Sequence, residues 1–259
     1  MSCTGRSSLQ MIILTHLINK LIMKKILFSV VLFFSIQSLF AHAIWIETIT
    51  TGKTGQSQEV NVYLGEYADN QRDSVQHWFS NMREFTLWLV KPDGQKEELH
   101  CVPSGNHFKA AFTPAVAGTY LLTIDHTVQE VYGDSKIHYY AMGIVKVNGS
   151  LQGIANVKEH TDFALLTNHQ QPHKLHQPEK VQLSYKNVHP AGADVTVQSP
   201  EGWAKKFKAG QDGDITFSPA WKGRYMLEGS FTEEAGGQHE GKEYKNVWHC
   251  VTYCMDVAR

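Results

Sequence analysis

Long helical periods are nearly absent from these 259 residues, and so is any imbalance of charge. The first absence leaves an all-β reading of the folded part. The second, 24 basic against 25 acidic side chains, removes the electrostatic case for nucleic acid as a partner. There is no phosphate-cradling glycine loop, no dinucleotide fingerprint and no Gly-x-Ser-x-Gly elbow. His239-Glu240-Gly241-Lys242-Glu243 lacks the second histidine of a zinc-protease helix, and its glycines favour a hairpin loop. Scattered Ser, His and Asp residues form no recognisable catalytic set, so the chain is read as non-enzymatic. Cysteine is scarce too, with 4 in all. On one strand Cys250 and Cys254 would lie about 13 Å apart, beyond disulfide reach. A bridge from Cys101 to either is left open.

The chain has one long apolar run, and it reads as an address. Met23-Lys24-Lys25 precedes Ile26–Phe40, and small Ala41 and Ala43 follow. A short basic run, an apolar stretch and a small-x-small site make a secretory signal peptide. Residues 1–22 precede an ideal signal start at Met23 and suggest an over-extended start. Export to the periplasm is expected, with no membrane span in the mature chain. Removing residues 1–41 takes away Arg6, Lys20, Lys24 and Lys25 and no acid, so the formal charge moves from -1 to -5, which suits cations.

Beyond residue 41 the periodicity is that of strands, as at Glu59–Leu64, Phe85–Val90, Thr119–Ile124, Gly143–Val147, Val181–Tyr185, Asp194–Val197, Asp214–Phe217, Arg224–Leu227 and Trp248–Tyr253. Phe112-Thr-Pro-Ala-Val-Ala-Gly118-Thr-Tyr120-Leu-Leu122 aligns without a gap on Phe217-Ser-Pro-Ala-Trp-Lys-Gly223-Arg-Tyr225-Met-Leu227, an offset of 105 residues. Such self-similarity is one architectural unit used twice. Tyr120 and Tyr225 are placed to form tyrosine corners. The expected fold is therefore two tandem immunoglobulin-like β-sandwich domains after a signal peptide. The N-terminal sandwich spans 42–150, and a His- and Pro-bearing linker with the C-terminal sandwich spans 151–259.

Histidine is abundant, with 14 residues. Cleavage after Ala41 makes His42 the mature N-terminus, where α-amine and imidazole chelate one ion through two nitrogens. Cleavage after Ala43 fits the small-x-small rule better and removes that site. Further candidate ligands are His249 on the last strand, His126 at the end of a strand, and Glu47 just after the leader. His169, His173 and His176 form a second cluster in the linker. Nitrogen donors of this kind suit copper and nickel. Trp78, Trp88, Trp203, Trp221 and Trp248 leave an aromatic sugar platform as the alternative.

The opening Ala41-His42-Ala43-Ile44-Trp45-Ile46-Glu47 resembles the exported bacterial family catalogued as domain of unknown function 4198. In the second half, Pro200-Glu-Gly202-Trp203, Pro219-Ala-Trp-Lys-Gly223-Arg-Tyr225 and Gly241-Lys-Glu-Tyr244 follow in the family's order, closed by His249 and Thr252. The resemblance implies a periplasmic protein linked to nickel or cobalt uptake, with His42 and His249 as the matching histidines. It also implies a membrane metal transporter as partner. The motifs around Gly202-Trp203 and Gly223-x-Tyr225 are similar to carboxypeptidase-regulatory-like sandwich modules as well, which are mainly structural.

Overall fold

The computed structural model describes residues 42–258, and the leader read over residues 1–41 lies outside them. Strand is the dominant element of the described chain, and helix is confined to a few short turns. A ten-stranded sheet runs through the middle; eight strands follow the path Ala204–Lys208, Asp194–Gln198, Gly223–Glu233, Asn246–Ala258, Ser135–Val147, Gly118–Tyr132, Leu87–Val90 and Lys96–Leu99, and the short Thr51–Gly52 and His173–Lys174 pair with Ser135–Val147 and Asn246–Ala258 off it. A five-stranded sheet led by Ala43–Thr48 and Gln58–Glu66 covers one face. A three-stranded sheet of Phe163–Leu166, Glu179–Tyr185 and Asp214–Phe217 covers the other. These are the two β-sandwiches expected from the repeat, and they share their central sheet. Residues His42–Arg259 cluster as one unit.

The join is a parallel seam. Ser135–Val147 pairs with Asn246–Ala258 in register from Ser135 opposite Asn246 to Met142 opposite Tyr253. On either side of the seam the next strand is antiparallel, so each half contributes a long hairpin. Two hairpins meeting through parallel edges are related by a half-turn about the strand direction, and a half-turn exchanges the faces of a sheet. The N-terminal core, with Leu122, Tyr139 and Val145, accordingly lies on one face, and the C-terminal core, with Leu227, Val251 and Met255, lies on the other. The seam strands are covered on both sides, which is why Tyr139–Val145 and Cys250–Met255 are unbroken runs of buried residues.

The repeated motif performs the same local task twice. Tyr120 donates its hydroxyl proton to Val116 O at 3.2 Å, and the Tyr225 hydroxyl accepts from Trp221 N–H at 3.1 Å. Both are tyrosine corners. The glycines before them fit against prolines of matching turns. A Cβ on Gly118 would lie 2.3 Å from Pro92 Cγ, and one on Gly223 would lie 3.2 Å from Pro200.

Four features depart from or complete the sequence reading. The polar stretch after residue 150 contains the short helix Asn156–Glu159 and the strand Phe163–Leu166, whose four residues are too few to signal a period. The seam strands extend well beyond the segments expected at 143–147 and 248–253. Cys101, Cys250 and Cys254 are all free thiols. The segment around His239 is a hairpin, with Gly237–His239 paired to Lys242–Tyr244.

Candidate functional site

Alternation along the strands sorts the polar side chains of the central sheet by face. Tyr139 and Cys250 face the N-terminal core, whereas Tyr140, His138 and His249 point to the opposite side. His249 is buried and stands in register with His138 across the seam and with Phe231 on its other flank. Its Nε2 lies 3.0 Å from Glu233 Oε2, and its Nδ1 is 3.5 Å from the Tyr140 hydroxyl. The same hydroxyl is 3.3 Å from His138 Nδ1, and His138 Nε2 is 2.5 Å from Asp125 Oδ1. Tyr185, from the covering sheet, donates to Glu233 at 3.3 Å. Four adjacent strands thus build a line of carboxylate, imidazole, phenol, imidazole and carboxylate.

Electrostatics follow from burial. Desolvation lowers the His249 pKa, and its bond to Glu233 works in the opposite direction. The same bond holds Glu233 below the usual carboxylate range. Burial raises Tyr140 far above an ordinary phenol, so it stays protonated. A phenol has one proton, yet two imidazole nitrogens face it. When both contacts are hydrogen bonds and both Nε2 atoms serve carboxylates, one of the two histidines is an imidazolium.

His42 lies on the other side of the molecule's central sheet. It precedes Ala43–Thr48, which packs on the N-terminal-core face, where Thr252 donates to Ile44 O at 2.6 Å. Tyr139 donates to the His42 carbonyl at 2.9 Å, and Phe79 sits edge-on to the imidazole. His42 Nε2 is 3.1 Å from Asp73 Oδ2, and Nδ1 is 3.6 Å from Glu66 Oε1. The first distance is a hydrogen bond and the second is too long for one. A gap of 3.6 Å is, however, the spacing of two donors on one ion when each bond is about 2.0–2.2 Å. Because the sheet stands between them, His42 and His249 do not meet in one site.

The sequence matches no family model and no curated protein. Among solved structures it is similar to Escherichia coli alpha-2-macroglobulin activated by porcine elastase, at 12% identity and a TM-score of 0.27. That alignment covers 84% of this chain and 20% of the other, so the chain spans about a fifth of that protein's length.

The remaining sequence candidates are dispersed. His126 shares a register position with Tyr139 on the N-terminal-core face. Its buried Nε2 has no hydrogen-bond partner, and burial lowers its pKa. Glu47 is held by three donors: Trp45 Nε1 at 2.9 Å, Arg72 Nη2 at 3.1 Å and Arg224 Nη1 at 3.2 Å. Arg72 in turn lies over the rings of Trp45, Tyr63 and Tyr67. Glu47 is therefore committed to a structural ion-pair network. His169 and His173 line one cleft, whereas His176 is exposed in a left-handed turn with its N–H on Pro219 O. Among the described residues, no group of three or more His, Cys, Asp or Glu side chains converges to hold a metal ion. Glu66, Asp73, Asp125, His138, Tyr140 and Glu233 were not singled out from sequence. Only the His138-x-Tyr140 alternation offered a local signal, placing both on one strand face.

Proposed function

We propose that the exported chain is a transition-metal-binding accessory protein, non-enzymatic, with His42 as its anchor. The observation that carries this reading is the pair of distances around the His42 ring. Asp73 accepts a hydrogen bond from the Nε2–H and so fixes the tautomer that leaves the Nδ1 lone pair free for a metal, the usual role of a carboxylate behind a metal-binding histidine. Nδ1 and Glu66 Oε1 then frame a gap of ionic size. Cleavage after Ala41 adds the α-amine as a third donor on the same residue. A deprotonated amine, an imidazole and a carboxylate form a set that nickel, cobalt and copper all accept. The resemblance of the opening motif favours nickel or cobalt as the cargo, in the periplasm, with a membrane metal transporter as the receiving partner.

The test is a nickel and copper titration of natively processed protein, with bound metal counted by native mass spectrometry and the first residue read from the intact mass. The expected outcome is one tight equivalent, abolished in His42→Ala. Glu66→Gln weakens it, and Asp73→Asn weakens it by about 10–100-fold. A processed chain that begins at His42 and binds neither ion tightly defeats the reading.

A second reading has its own observation. Trp203 and Trp221 are both partly exposed, with ring centroids 6.1 Å apart, next to each other on the C-terminal sandwich. Paired exposed indoles form a platform for sugar rings. A carbohydrate-binding module without metal predicts glycan binding that is lost in Trp203→Ala and indifferent to His42→Ala.

A further inference from the structure

The internal repeat is a built-in control for what each half needs in order to fold. Lys96 pairs with Val90, which pairs with Leu121; in the second half Ala204 pairs with Gln198, which pairs with Met226. The turns before these two edge strands are therefore equivalent, and they are built alike. Lys91 N–H donates to Gln95 O at 2.8 Å and Ser199 N–H to Trp203 O at 2.7 Å, each around a glycine at positive φ, Gly94 and Gly202. The tyrosine corners match as well. Val116 N–H reaches the Tyr120 hydroxyl at 3.3 Å, where Trp221 N–H reaches that of Tyr225. Gln95 and Val116 thus make, through their backbones, the bonds that Trp203 and Trp221 make in the other half. The corner requires an indole at neither place, yet the second half exposes two, 40% and 38% accessible and 6.1 Å apart. Two adjacent large rings left in water without a folding reason mark a contact surface.

The charges differ between the halves at the same corner. Lys205 stands where the first half has Glu97, and Lys222 stands where it has Ala117. Alternation along the edge strand puts Lys205 on the side of Trp203, and Lys222 adjoins Trp221 in sequence. Among the described residues neither ammonium is paired with a carboxylate, and Lys205 Nζ lies over the Phe207 ring. Lys206 and Lys208 alternate to the other face, where both are held by Asp194. Residues 199–208 and 218–223 contain one carboxylate, Glu201, at the tip of its turn as Asp93 is in the first half. The same residues include no Leu, Ile, Val or Met, so beyond the indoles there is little to bury in a bilayer. We propose that the Trp203–Trp221 corner binds an acidic polysaccharide, with sugar rings on the indoles and sugar carboxylates on Lys205 and Lys222. The proposal rests on the sugar-platform reading of these indoles and is independent of the His42 site.

The experiment is a calorimetric titration of the full processed chain with a beta-linked mannuronate hexamer and with the mannose hexamer of the same linkage, which lacks only the carboxylates. The mannuronate should bind about threefold to tenfold more tightly at low salt, as two exposed ion pairs allow, and the difference should shrink at high salt. The variants install the first half's residues in the second. Trp203→Gln with Trp221→Val should abolish binding of both sugars. Lys205→Glu with Lys222→Ala should remove the preference for mannuronate and leave mannose binding unchanged. Equal affinity for the two hexamers overturns the acidic ligand and leaves the sugar platform standing. Binding of neither hexamer overturns both. Full mannuronate affinity in the double tryptophan variant places binding elsewhere and also defeats the proposal. So does recruitment to phosphatidylglycerol vesicles through the two indoles without mannuronate binding, which would make the corner a membrane contact.

Discussion

His138 and His249 stand side by side on parallel strands, and each turns Nδ1 toward the Tyr140 hydroxyl and Nε2 toward a carboxylate of its own. The symmetry is broken only by burial, since His249 is nearly inaccessible and His138 is half-buried. Burial therefore disfavours the charged form of His249, against the pull of Glu233.

With burial the larger effect, His249 is expected to titrate below an ordinary histidine. Glu233→Gln removes the group that favours its charged form, so its pKa should fall further, while Tyr140→Phe should uncouple the two rings. Histidine Cδ2–H NMR titrations check both statements. A His249 pKa that rises in Glu233→Gln contradicts them.

Glu228 carries the opposite kind of shift. Burial pushes its carboxyl up to about 7 from an ordinary 4.5, with Lys206 opposing. The folded state then holds a proton that the unfolded state gives up at lower pH. Stability contributed by this group is full below 4.5, declines through about 7 and is flat above. Urea midpoints at about pH 5 and about pH 8 should differ less in Glu228→Gln than in the parent chain.

Gly118 and Gly223 occupy equivalent places in the repeat but not equally crowded ones. Gly118→Ala drives a methyl into Pro92 in a backbone region that L-residues avoid, and about 1–3 kcal/mol of stability should be lost. Gly223→Ala has more room against Pro200 and should cost less. Denaturant melts of the two variants decide the order.

The described thiols should be inert in the native protein. Burial raises Cys250 and Cys254 well above an ordinary thiol and pushes Cys101 up to about 11. Iodoacetamide near neutral pH should leave all three unmodified until denaturant is added. Rapid alkylation of Cys250 in the folded chain would show that the seam opens.

The fold was largely legible because its signals are local. Strand alternation and the Phe112/Phe217 repeat depend on neighbours in sequence, and they lead directly to two sandwiches with paired tyrosine corners. The site was less legible because its geometry is made across strands. Nothing near His249 in sequence indicates that a parallel seam brings His138 opposite it, with Glu233 arriving from the adjoining strand. Glu47 looked like a ligand by its position after the leader, but two arginines, from residue 72 and residue 224, claim it. His42, by contrast, kept its interest for a reason the sequence did not contain, namely the carboxylates of Glu66 and Asp73.

The parallel seam also sets an order of events during synthesis. Ser135–Val147 emerges early, yet its seam partner Asn246–Ala258 is made only after about a hundred further residues. Until then the strand that becomes the middle of the finished sheet is an apolar edge with unpaired N–H and C=O groups. Such an edge invites pairing with another nascent chain. Delivery of this protein across a membrane before it folds, or a holdase that shields residues 135–147 in the meantime, would suit a sheet whose centre is closed last.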